Sequence, residues 1–187
     1  HAAPTHLVVD MLYDFIDGSL ACGHSEEAVE EAIKYINEHP EQEVIYIADC
    51  HPANHSSFVE FGGIWPPHCV EGTRGGSIHE SFYTKVENPA NRPDPKRNIF
   101  RKGCKQDEEQ YSGFEAVNSN GIVLKDYANK DVVISGIATE YCVRNTVEEF
   151  LNSGRNVELI LPALGYVDHN GHVATIKELR NMVTVVE

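Results

Sequence analysis

Short apolar runs rich in β-branched residues alternate along this chain with segments of helical periodicity, and that rhythm restricts the fold more than any other feature. Leu7 to Val9 ends at Asp10 and Glu43 to Ala48 ends at Asp49, both in the manner of buried strands. Between them Ser25 is placed to cap a helix with Glu26 and Glu27 in its first turn and Ala28, Ala32, Ile33 and Ile36 on its core face. The pattern returns as strands Asn98 to Arg101, Asp131 to Ser135, Val157 to Leu161 and Val183 to Val186, with helices Tyr141 to Asn152 and His172 to Asn181. Such alternation predicts right-handed crossovers and a three-layer α/β/α domain, residues 1–187, around a mainly parallel central sheet.

Residues 52–97 interrupt the rhythm with Pro52, Pro66, Pro67, Pro89, Pro93 and Pro95, so an irregular excursion is expected there, of a length that usually carries function. In open α/β sheets ligands bind beyond the carboxyl ends of the strands, where Asp10, Asp49 and the GIATEYC segment fall. A formal net charge of −14 speaks against nucleic acid and anionic membranes as partners. Five cysteines without a CxxC pair, and an N-terminus without a visible signal peptide, are expected of reduced thiols in a cytoplasmic protein.

Asp49 and His51 stand two apart at a strand end, so strand alternation puts both on one face and Cys50 on the other. With His68 returned by the excursion, a carboxylate and two imidazoles would form an open site for a borderline divalent ion such as zinc, iron or manganese. The local signal is weak, and two loop histidines are as readily surface residues. His55 is a fourth-ligand candidate or a support for the others; Cys50 and Cys69 would instead make a closed structural site. Cys142 follows SGIATEY at a strand-to-helix turn, where unpaired N–H groups and the helix dipole are expected to lower its pKa and to stabilise an oxyanion. Asp10 is the carboxylate placed to accept its proton, and Lys102 a cation to stabilise the developing charge. Alone, each has an ordinary alternative: a buried thiol, a loop cap, a solvated lysine.

Taken in order, VVDMLYDF, DCHPANHSSF, GGIWPPHCVEGTRG, FRKG with YSGF, and GIATEYCV resemble the nicotinamidase (pyrazinamidase) branch of the isochorismatase-like cysteine hydrolases over nearly the whole chain. The resemblance implies hydrolysis of nicotinamide to nicotinate and ammonia for NAD salvage, with activity on pyrazinamide as well. It implies a triad of Asp10, Lys102 and Cys142, a metal on Asp49, His51 and His68, and a cis peptide before Ala138. It further implies an oxyanion hole from the backbone N–H groups of Ala138 and Cys142, and a pocket lined by Phe15, Trp65, Tyr111 and Ile137, although Ile137 suits the core equally well. Glu140, Tyr141 and the ALGYVDHNGH segment depart from the family pattern and put pocket detail in question. The alternatives are a metal-independent hydrolase of N-carbamoyl amides with the same triad, or a non-catalytic binding paralogue. Homo-oligomerisation is left open.

Overall fold

Period-two alternation in the apolar runs becomes two separate cores. In β1 (Thr5–Val9) Leu7 and Val9 face one side and Val8 the other; in β2 (Glu43–Asp49) Ile45 and Ile47 separate in the same way from Val44, Tyr46 and Ala48. The computed structural model describes residues 2–187. Its sheet is completed by β3 (Ile99–Lys102), β4 (Asp131–Ile137), β5 (Asn156–Gly165) and β6 (Thr184–Val186), and all neighbouring strands pair in parallel.

The helices in chain order are α1 (Tyr13–Ile16), α2 (Ser25–Glu38), α3 (Ser81–Thr84), α4 (Leu124–Tyr127), α5 (Arg144–Asn152) and α6 (His169–Leu179). Ala28, Val29, Ala32, Ile33 and Ile36 of α2 cover the Val8 face. Val147 and Phe150 of α5, with Ile176 and Leu179 of α6, cover the Leu7 face, which gives the expected three layers. Phe150 has no exposed surface and meets Phe114 edge-on at 4.9 Å between ring centroids. Phe150→Ala should therefore cost about 3–5 kcal/mol of stability, read from the urea midpoint; a loss below about 1 kcal/mol would contradict this packing.

Strand order is β3-β2-β1-β4-β5-β6. The chain thus builds outward from β1 in one direction, then restarts at β4 on the other side. This reversal opens a crevice at the carboxyl ends of β1 and β4, the ligand-binding position of such sheets. Gly136 makes the close pairing possible: it adopts φ 135° opposite Val9, and a Cβ there would collide with the Val9 carbonyl.

Three local expectations change. Ser25 is the first residue of α2 rather than its cap; left-handed His24 (φ 58°) turns the chain into the helix, and the Ser25 hydroxyl donates to the Ile16 carbonyl at 3.3 Å. The last helix starts three residues earlier than expected because the Asp168 carboxylate caps it, accepting from Gly171 N–H at 2.9 Å. The segment around Cys142 enters its helix through a π-helical turn, Thr139–Val143, in which Val143 N–H reaches back to the Ala138 carbonyl at 3.1 Å. Among the described residues no helix is long and apolar enough to cross a membrane.

Candidate active site

Asp10, one residue past β1, adopts φ 50°, a conformation aspartate tolerates better than most residues. Its Oδ1 accepts the Asp49 N–H at 2.8 Å, and its Oδ2 forms an ion pair with Lys102 Nζ at 2.9 Å. Lys102 ends β3 in register with Asp49 at the end of β2, so the two side chains emerge together. Lys102 Nζ donates to Asp49 Oδ1 at 2.5 Å, to Cys142 Sγ at 3.2 Å and to the Gln110 carbonyl at 3.2 Å. Lys102 is only 1% exposed, and Asp10 is fully buried.

Burial raises the Asp10 carboxyl to about pKa 6, with the neighbouring Asp49 charge pushing the same way and Lys102 opposing. At neutral pH it is thus mostly ionised yet close to taking up a proton. Burial alone would raise Asp49 too, but the Lys102 ammonium beside it outweighs burial and holds that carboxylate well below its ordinary range. Cys142 corrects the reading from sequence. Burial pushes its thiol well above the ordinary cysteine value, and Asp10 and Asp49 add to the rise while Lys102 opposes it. The resting group is a thiol whose proton must be removed by a base, because dehydration of a thiolate here costs more than the nearby ammonium returns.

Asp49, His51 and His68 are all buried, with ligand atoms within 4.8 Å of one another. His51 Nδ1 donates to the Gly103 carbonyl at 2.7 Å and His68 Nδ1 to the Pro66 carbonyl at 2.8 Å. Both bonds place the proton on Nδ1 and leave each Nε2 lone pair available, the usual support for metal-binding imidazoles. Asp49 Oδ2 faces His51 Nε2 at 3.4 Å while Oδ1 stays with Lys102. Two oriented imidazoles and one carboxylate oxygen suit a divalent ion and leave coordination positions open. Asp10, Asp49 and Cys142 also converge, but Lys102 Nζ already occupies that cluster as its cation.

His55 is not a fourth ligand. Its Nδ1 accepts from the Ser57 hydroxyl and its Nε2 donates to the Glu108 carbonyl, both at 2.7 Å, while its ring stacks 4.0 Å from that of His51. Cys50 stays out of the metal cluster, as strand alternation requires, and buried Cys69 contributes its backbone instead: its carbonyl accepts the His51 N–H at 3.0 Å.

A slot opens above Cys142, Asp49, His51 and His68, with an empty volume of about 430 Å³ including its mouth. Phe15, Trp65 and Tyr111 line it as expected, and Trp65 Nε1 donates to the Tyr111 hydroxyl at 3.1 Å. Ile137 does not line it. That side chain has no exposed surface and belongs to the core beneath, because β4 turns its Ile137 position inward toward Gly165. Tyr141 lines the slot instead, edge-on to Trp65 at 5.2 Å and tilted against Tyr111 at 5.7 Å between centroids. The peptide between Ile137 and Ala138 is cis, and Ala138 borders the slot beside Cys142.

Two structural roles escaped the sequence reading. Asp14 Oδ2 accepts the Cys69 N–H at 2.8 Å and anchors the segment that carries His68. Glu140 accepts from Val167 N–H at 3.1 Å and Asp168 N–H at 2.7 Å, tying the loop after β5 to the Cys142 turn. Aspartate and glutamate in loops are too common for either to stand out in a single sequence.

A family model for the isochorismatase domain matches residues 4–187. The nicotinamidase/pyrazinamidase of Mycobacterium tuberculosis is 31% identical over 183 residues, covering 93% of this chain and 92% of the relative. The pyrazinamidase of Pyrococcus horikoshii, solved in complex with zinc, superposes with a TM-score of 0.83 at 32% identity, covering 98% of each chain. An L. infantum protein solved in complex with nicotinate gives a TM-score of 0.77 at 29% identity, covering 100% of this chain and 93% of that one.

Proposed function

The chain belongs to the isochorismatase domain family, and we propose that within it Cys142 carries an amidohydrolase reaction that converts nicotinamide to nicotinate and ammonia. The activity serves NAD salvage. The observation that carries the residue assignment is one carboxylate shared between two machineries: Asp49 holds Lys102 of the Asp10–Lys102–Cys142 cluster with Oδ1 and faces His51 with Oδ2.

Asp10, whose Oδ2 lies 2.9 Å from Lys102 Nζ, takes the thiol proton as Cys142 Sγ attacks the carboxamide carbon. The oxyanion is held by the backbone N–H groups of Ala138 and Cys142, with Lys102 balancing the new charge. The tetrahedral adduct collapses by breaking the C–N bond; Asp10 returns the proton to the leaving nitrogen, and ammonia departs from a nicotinoyl thioester on Cys142. Water, deprotonated by Asp10, then attacks the thioester carbon. Breaking the C–S bond returns that proton to sulfur, restores the thiol and releases nicotinic acid, which gives its remaining proton to water or ammonia and leaves as nicotinate.

Phe15, Trp65, Tyr111 and Tyr141 offer ring faces and edges to a flat heteroaromatic ring, a fit that extends to pyrazinamide. Asp49, His51 and His68 would hold one divalent ion, zinc first among the choices for two imidazoles and a carboxylate. Bound there, the ion supplies a Lewis acid for a ring nitrogen and so orients the carboxamide. The converged ligands favour this reading over a metal-independent N-carbamoyl hydrolase, and the buried Asp10–Lys102–Cys142 cluster favours it over a binding paralogue.

The test is ammonia release from nicotinamide and pyrazinamide, repeated after chelation and readdition of metal. Chelation should raise KM or abolish turnover, and zinc, manganese or iron should restore it. His51→Ala should lower bound metal below about one tenth of the wild-type content by elemental analysis. Unchanged metal content in that variant would refute the ligand assignment.

A further inference from the structure

One residue bonds directly to the proton-transfer cluster and reaches the metal ligands through a single intermediary. Gln110 lines the slot on the chain that returns from β3. Its backbone carbonyl accepts from Lys102 Nζ at 3.2 Å, and its side-chain Oε1 accepts the Gly103 N–H at 3.0 Å. Gly103 is buried, so that N–H has no recourse to water. The Gly103 carbonyl in turn accepts from His51 Nδ1 at 2.7 Å, the bond that leaves His51 Nε2 open toward Asp49 and His68.

Gly103 is also packed hard against the ring it orients. It adopts φ 68°, and a Cβ at this position would run into His51 Cε1 and come within 2.8 Å of its Nδ1. The His51 ring therefore has no side chain at 103 to hold it in place. Its orientation depends on where the Gly103 carbonyl sits, and across the Gly103 Cα the same residue's N–H is held by the Gln110 side chain. The bond also settles the amide: the atom facing Gly103 must be the oxygen, since the partner is a donor.

We propose that Gln110 is a positioning residue that couples the two halves of the site, its main-chain carbonyl orienting Lys102 and its side-chain oxygen fixing Gly103 and, through it, the His51 ring. The inference rests on the metal-assisted amidase reading. Its distinguishing consequence is that the chemistry required at position 110 is a side-chain acceptor of glutamine length, not an amide as such. A methionine keeps the length and loses the acceptor. A glutamate keeps both the length and the acceptor.

The test is zinc affinity of the apoprotein, measured by competition with a chromophoric chelator, for wild type, Gln110→Met and Gln110→Glu, with circular dichroism as a check on the fold. Gln110→Met should raise the zinc dissociation constant about 10–100-fold, the usual consequence of removing a group that orients a metal ligand. Gln110→Glu should stay at or below the wild-type value. In the zinc-loaded enzymes kcat for ammonia release should fall in the methionine variant and recover in the glutamate variant. Zinc affinity in Gln110→Met equal to wild type, or equal weakening in both variants, overturns the role of Gln110. A wild-type protein that binds zinc but releases no ammonia would instead overturn the amidase reading, and one that binds no zinc would overturn both.

Discussion

Cys142→Ala should abolish ammonia release from nicotinamide, by at least about 10⁴-fold in kcat, while the protein remains folded. The size of the effect follows from the absence of a substitute. Cys50 and Cys69 do not line the slot, and Asp10 and Asp49 are each engaged with Lys102. Water could still use the donors around the oxyanion, which leaves a residual rate but no thioester. The fold should survive because Lys102 keeps Asp10, Asp49 and the Gln110 carbonyl as partners once the sulfur is gone. A circular dichroism spectrum matching wild type together with a flat ammonia trace is the expected pair of results; a folded variant with full activity would sink the covalent mechanism.

Lys102→Met should differ in damaging the fold as well as the reaction. The ammonium is the shared counter-ion of two buried carboxylates that also face each other's charge. Its removal leaves both uncompensated, and breaking a buried ion pair from one side costs about 3–5 kcal/mol. Urea unfolding of the apoprotein should show that loss as a lowered midpoint, and an unchanged midpoint would mean that Lys102 is not the counter-ion. Activity should fall for a related reason. Lys102 is among the groups that lower the Asp10 pKa, so without it that carboxyl rises above about 6 and a larger share of it is protonated at neutral pH. A protonated Asp10 cannot accept the proton of Cys142.

The contrast between these two variants reflects where each residue's role comes from. Cys142 stood out in the chain because of its segment, GIATEYC, at a strand-to-helix boundary. The thiolate expected there was wrong, since the helix start is a visible local feature whereas the burial that dominates the thiol is not. Tyr141 lines the slot where Ile137 was expected to for a similar reason: Ile137 ends β4 and Tyr141 lies within the π-helical turn that follows, and which of them faces the slot depends on how that turn swings the chain. Gln110 carried no signal at all, because half of its role is made by a main-chain carbonyl that every residue possesses.

Strand faces, the three-layer architecture, the Asp49–His51 pair and the irregular excursion were all readable from the chain, because each depends on periodicity or composition over a few neighbouring residues. The meeting of those parts depends on non-local pairing. Lys102 reaches Asp49 through the register of β2 with β3, Asp10 and Cys142 meet because strand order reverses between β1 and β4, and His68 is delivered by a parallel bridge between His51 and Val70. Proton affinities followed only from that assembly, since desolvation and charge proximity are properties of the packed site and not of the order of its residues.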